Sequence, residues 1–154
     1  MQEHTPAPHR QHLPHSIPFG VETDSAVFFL TINCLERGVD VLCCEQVANS
    51  IFDAADHYLR TGMWGPRLLL LMPDHIHLIT SLNLRERPMR NIVEPWKGWL
   101  RKQTQIAWQR GFFDHRLRNE EEMRTKADYV LMNPVRKGLV QSPEEWPWQR
   151  TWSR

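Results

Sequence analysis

Residues 66–82, PRLLLLMPDHIHLITSL, constrain the fold more than any other stretch of this chain. The run PRLLLLM is short and apolar, as expected of a strand covered on both faces. Pro73-Asp74 supplies turn chemistry, and HIHLITSL reads as the returning strand. The segment is therefore a β-hairpin, and the protein is built around a sheet. Successive strand side chains point to opposite faces, so His75 and His77 project together while Ile76 and Leu78 point the other way. Imidazole suits divalent ions of the zinc, copper, iron, nickel and manganese group. Two ligands are too few for a catalytic metal site. On its own, an H-x-H pair fits two polar strand residues better than a metal site. Amidohydrolase barrels that carry such a pair need about 200 residues or more, and this chain has 154.

Strand and helix patterns alternate around the hairpin. AVFFLTINCLE, from Ala26, is rich in β-branched and aromatic residues and reads as a strand. In EQVANSIFDAADHYLRTG, the repeat Val47, Ile51, Ala55, Leu59 marks an amphipathic helix that Gly62 closes. RNIVEPWKGWLRKQTQ predicts a second helix with Ile92, Trp96, Trp99 and Gln103 along one side. Pro95 either begins that helix or kinks it, and Trp96 and Trp99 read as packing residues. WQRGFFDHRLR reads as a strand. Asn119 is a natural N-cap with Glu122 three residues on, and Glu120, Glu121 and Glu122 suit the positive end of a helix dipole. Met123, Ala127 and Leu131 form the stripe of this last helix, and Pro134 stops it. The order β-α-β-β-α-β-α predicts an α+β sandwich: a small, mainly antiparallel sheet with helices packed on one face.

Residues 1–24 read as a flexible tail rich in Pro and His, and residues 25–154 as a single domain. His4, His9, His12 and His15 match no defined metal spacing and read as solvated. No apolar run approaches the ~20 residues that span a bilayer, and the first residues lack a secretory h-region. Cys34, Cys43 and Cys44 are three in number with no C-x-x-C pair. That argues against a disulfide framework or a thiolate zinc site, and for a reducing cytoplasm. The charge is uneven. Residues 1–84 hold 4 Lys/Arg against 9 Asp/Glu, and residues 85–154 hold 15 against 9. A polyanion touching the second half fits this asymmetry, as does a set of solvated helix faces.

ADYVLMNPVRKGLV, residues 127–140, is the candidate partner of the two histidines. Tyr129 and Asn133 are four residues apart on the last helix, which puts them on one face with Cβ atoms roughly 6 Å apart. They lie off the apolar stripe. A phenol is a possible nucleophile, and a side-chain amide oxygen is a hard metal ligand. Tyr58, the other tyrosine, sits beside His57 on the first helix and reads as packing.

MPDHIHLI, WQRGFFDHRLR, YVLMNPVRKGLV and WPW, in that order and preceded by FFLTINCLERG, resemble the single-tyrosine transposases of the HUH class. The nearest likeness is to the REP-associated tyrosine transposases, over roughly residues 25–150. The resemblance implies a ferredoxin-like sandwich with a central antiparallel sheet. It implies that His75, His77 and Asn133 bind a divalent ion, Mg²⁺ or Mn²⁺, and that Tyr129 is the nucleophile on single-stranded hairpin or repeat DNA. The implied activity is transposition: cleavage and rejoining of DNA through a 5′-phosphotyrosine link and a free 3′-OH. The enzyme would be a cytoplasmic or nucleoid protein working as a monomer or homodimer.

A free phenol has a pKa near 10. Lys126, three residues before Tyr129, is placed to favour the phenolate or to hold a phosphate. Arg116, Arg118, Lys126, Arg136 and Lys137 flank the candidate site in sequence and read as phosphate contacts. Trp146 and Trp148 are read either as base-stacking or as packing residues, and His115 as a DNA contact or a third imidazole. Two other activities stay open from the residues: a non-catalytic hairpin-binding relative, and a metal-dependent phosphoesterase with Tyr129 structural.

Overall fold

The computed structural model describes residues 25–153. The Pro/His tail at 1–24, with its four histidines, lies outside the described residues. The chain runs β1 (Ala26–Asn33), α1 (Glu45–Arg60), β2 (Gly65–Met72), β3 (His75–Leu82), α2 (Arg90–Thr104), β4 (Phe113–Leu117), α3 (Glu120–Leu131), α4 (Asn133–Arg136) and β5 (Gln149–Thr151). The strands form one sheet in the order β4-β1-β3-β2-β5, and every neighbouring pair is antiparallel. The first six elements trace the βαββαβ order of a ferredoxin-like sandwich, so the expected α+β class and antiparallel sheet are observed.

Alternation along β1 sorts the core into two layers. Phe28, Leu30 and Ile32 face one cluster with Leu69, Leu71, Ile76 and Leu78, closed by Ala48, Ile51, Phe52 and Ala55 of α1 and Ile92, Val93, Trp96 and Leu100 of α2. Val27 and Phe29 face a second cluster with Leu68, Leu70, Met72 and Ile79, closed by Met123, Ala127, Val130 and Leu131 of α3. The expectation of helices on one face is therefore corrected. α1 and α2 share a face, and α3 covers the other. Every residue of β2 is buried, because the strand is covered on both sides.

Other boundaries shift for local reasons. The predicted strand over WQRGFFDHRLR shrinks to β4, since Gly111 turns at φ +69° just before it. Pro95 lies inside α2 rather than at its first position. The buried side of α2 is Ile92, Val93, Trp96, Lys97 and Leu100, and Trp99 points outward. Lys97 tolerates burial because its Nζ donates to Glu94 Oε1 and to the carbonyls of Gln109 and Gly111. Asn119 caps α3 as expected, accepting from the Glu122 N–H at 2.9 Å. α3 ends at Leu131, and Asn133 opens the separate turn α4, so Tyr129 and Asn133 are not on one uninterrupted helix. β5, which sequence patterns did not indicate, adds a strand beside β2.

Candidate DNA-processing site

The hairpin sets the site. Met72 pairs with His75 across a two-residue turn, and His77 pairs with Leu70 on one side and Thr31 on the other. Cross-strand partners share a face, so His77 lies on the α3 side with Phe29, whose ring centroid is 5.3 Å from its own. The His75 and His77 rings are 4.7 Å apart.

Each imidazole is held at Nδ1. His75 Nδ1 lies 2.7 Å from Asp74 Oδ1, and His77 Nδ1 lies 3.1 Å from Thr31 Oγ1. The other nitrogen of His77, Nε2, meets Asn133 Nδ2 at 2.8 Å. His77 is 7% and Asn133 8% exposed, so this contact is closed to bulk water. Burial pushes the His77 pKa down to about 3, with the neighbouring His75, Arg136 and Lys126 adding to the effect. His77 is therefore neutral at any ordinary pH. Burial also lowers the His75 pKa, against the pull of Asp74 and with the help of Arg37 and Lys137.

Asn133 thus reaches His77 within its own chain. Tyr129 stands one helical turn earlier at the rim, 53% exposed. Its ring packs against cations rather than either imidazole: Arg136 Cζ lies 4.0 Å and Lys126 Nζ 5.2 Å from its centroid. Arg136 Nη2 also donates to the Tyr129 carbonyl at 2.6 Å, satisfying an acceptor at the end of α3. Lys126 Nζ sits 4.8 Å over Phe29 as well, which brings it to the edge of the His77 layer.

The remaining candidates divide. Lys126 and Arg136 lie over the Tyr129 ring and near enough to act on His77, and Lys137 acts on His75. Arg116 pairs with Phe28 and so lies on the α1/α2 face of the sheet, away from the histidines. Arg118 is exposed beyond β4, with its N–H given to Glu122. His115 pairs with Phe29 and shares the histidine face, but it is exposed at the sheet edge. Trp146 is buried and donates Nε1–H to the Leu71 carbonyl at 2.9 Å, so it is a packing residue and not a stacking platform. Trp148 is half-buried against both core clusters. Tyr58 is committed to packing, with its hydroxyl on the Ile92 carbonyl and its ring against Trp64.

Thr31, Asp74 and Arg37 were missed in the sequence. Asp74 reads only as a turn residue there, although its position just before His75 was a signal. Thr31 and Arg37 gave none, because their proximity depends on strand register and loop path.

His77 and Asn133 are thus in buried contact beside a second imidazole, on an antiparallel sheet whose second face is covered by the helix that carries Tyr129. Two curated relatives carry the name REP-associated tyrosine transposase. One, from Haemophilus influenzae, is 25% identical, covering 82% of this chain and 80% of that protein. The other, from Escherichia coli K12, is 27% identical, covering 78% of this chain and 73% of that protein. A solved structure described as a REP-associated tyrosine transposase bound to a REP hairpin superposes with a TM-score of 0.71, at 21% identity. It covers 97% of this chain and 82% of its own, and it supports the fold. No protein-family model matches the chain. The resemblance read from the motifs is thus matched by the names of the relatives. Among the described residues, no helix is long and apolar enough to cross a membrane.

Proposed function

We propose that this protein is a metal-dependent tyrosine transposase that cuts and rejoins single-stranded DNA at hairpin or repeat elements in the bacterial cytoplasm. One observation carries the reading: Asn133 meets the buried Nε2 of His77 at 2.8 Å, beside the second imidazole and one turn from an exposed tyrosine.

The residues fit a divalent ion. With both Nδ1 atoms engaged by Asp74 and Thr31, each imidazole keeps Nε2 for a ligand. The Asn133 amide now presents Nδ2 to His77, and half a turn of its head group presents the oxygen instead. His77, Asn133 and His75 would hold the ion, and this mixed N/O set suits Mn²⁺ at least as well as Mg²⁺. When bound, the ion supplies charge neutralisation and orientation of the scissile phosphate.

The chain's own groups account for the rest. The Tyr129 oxygen attacks phosphorus, an O–P bond forms, and the P–O3′ bond breaks. The 3′ oxygen leaves and is protonated, and the 5′-phosphate stays on the tyrosine. Attack by a 3′-OH reverses the step and joins strands, so the bond energy is conserved rather than lost to water. Lys126 and Arg136 lie over the Tyr129 ring, where they hold the incoming phosphate.

The test is a denaturing gel of purified protein incubated with single-stranded hairpin DNA and Mn²⁺. A covalent protein–DNA band that is absent in Tyr129→Phe is the expected result. Shifted but uncut DNA would instead identify a hairpin-binding protein. Free cut products from Tyr129→Phe would identify a phosphoesterase.

A further inference from the structure

The segment between β1 and α1 is wrapped around the hairpin turn that carries His75. The Cys34 N–H donates to the Asp74 carbonyl at 2.9 Å, and the N–H groups of Val41 and Leu42 donate to the Pro73 carbonyl at 2.9 and 3.1 Å. Arg37 Nη1 donates to Asn33 Oδ1 at 2.8 Å and to the Asp74 carbonyl at 3.0 Å, and lies 3.3 Å from Asp74 Oδ1. The Gly38 N–H donates to Asp74 Oδ2 at 2.8 Å. Gly38 holds φ +77°, a backbone conformation that L side chains rarely adopt. Both oxygens of Asp74 are therefore claimed: Oδ2 by Gly38, and Oδ1 by Arg37 and by His75 Nδ1 at 2.7 Å.

We infer that Asp74 is a positioning residue which, held by Arg37 and Gly38, keeps the proton of His75 on Nδ1 and aims its Nε2 into the site. The inference rests on the metal-site reading above for its purpose, but not for its geometry. A carboxylate that accepts from Nδ1–H fixes both the tautomer and the ring orientation of a ligating histidine. The two histidines are served differently. His77 takes a neutral hydroxyl, Thr31, from a neighbouring strand, whereas His75 takes a carboxylate whose own setting depends on Arg37 and Gly38, in a loop 37 and 36 residues before Asp74.

Asp74→Asn is the informative change, because it preserves shape. Gly38 and Arg37 each need an oxygen at their position, and an amide has only one. With the oxygen turned to Gly38, the NH₂ faces His75 Nδ1 and forces the imidazole to accept there. The proton then moves to Nε2 and blocks the ligand position, as in catalytic triads where Asp is replaced by Asn.

Two readouts on the full chain decide the matter. Long-range ¹H–¹⁵N NMR of the metal-free protein reports the His75 tautomer, and titration with Mn²⁺ followed by electron paramagnetic resonance reports affinity. The expected result is an Nδ1–H tautomer in wild type, an Nε2–H tautomer in Asp74→Asn, and Mn²⁺ affinity 10–100-fold weaker in the variant. Arg37→Ala, which leaves the Gly38 contact intact, should weaken affinity less than Asp74→Asn. The same His75 tautomer in wild type and Asp74→Asn overturns the inference, whatever the metal does. Wild-type protein that binds no Mn²⁺ overturns the metal-site reading instead, while the tautomer result still decides the role of Asp74.

Discussion

His77 makes acid stability a direct report on the buried site. Its pKa is pushed down to about 3 in the folded chain, from an ordinary value of 6.5. A histidine depressed in this way binds a proton in the unfolded state and not in the folded one. Stability contributed by the neutral ring is therefore complete above pH 6.5 and falls as pH drops from 6.5 toward 3. Each unit is worth about 1.4 kcal/mol, so acidification from pH 8 to pH 5 costs about 2 kcal/mol from His77 alone. The ring is 7% exposed, so little of this is screened away. The assay is urea unfolding with chelator present, at pH 8 and pH 5, for wild type and His77→Gln, whose side chain does not titrate. The wild type should lose about 2 kcal/mol more than the variant over that interval. His75, also lowered, remains in both proteins and largely cancels. An offset between the two proteins that is the same at both pH values would refute the reasoning. It would mean that His77 titrates as it does in water, and that α3 and Asn133 do not seal it against the sheet.

Three further outcomes follow from the same geometry. Lys126→Ala should weaken binding of single-stranded DNA and reduce its log–log salt slope by about 0.7, because its cation stands beside the exposed Tyr129 ring, 5.2 Å from the centroid; an unchanged slope would remove the phosphate contact. Trp146→Phe should destabilise the fold by about 1–3 kcal/mol in urea unfolding, since it removes a buried donor from the Leu71 carbonyl; unchanged stability would show that this tie contributes nothing. Burial pushes the thiols of Cys34 and Cys43 up to about 12, with Asp74 and Asp40 respectively adding to the rise, while Cys44 is exposed. Iodoacetamide at pH 8 should therefore label one site in the folded protein and all three after unfolding, by mass spectrometry. Three labels at equal rates on the native chain would contradict the packing described.

The hairpin and the α3 cap were legible because each is a local event. An apolar run, a Pro-Asp turn and an alternating strand need only their own residues, as do Asn119 and its Glu122 partner. The two-layer core was half legible: PRLLLLM already called for cover on both faces, and only α3 was available to supply the second. Pairing Asn133 with the histidines drew on residue chemistry, on its four-residue spacing from Tyr129 and on the family likeness, although the spacing argument assumed one helix and α3 ends before Asn133. The support of the histidines was hidden. Thr31 meets His77 only through the β1–β3 register, and Arg37 and Gly38 meet Asp74 only through the path of a loop. The outward turn of Trp99 and the inward turn of Lys97 were hidden too, because the acceptors of Lys97 lie on the chain after α2.

The central claim is that Tyr129 becomes covalently attached to DNA through the site formed by His75, His77 and Asn133. The most direct measurement is peptide mapping by mass spectrometry after reaction with single-stranded hairpin DNA and Mn²⁺. The account predicts a nucleotide on the peptide containing Tyr129, formed only with the metal and lost in His77→Ala. A nucleotide on Tyr58 or any other residue, or the same adduct on Tyr129 in His77→Ala, would contradict it.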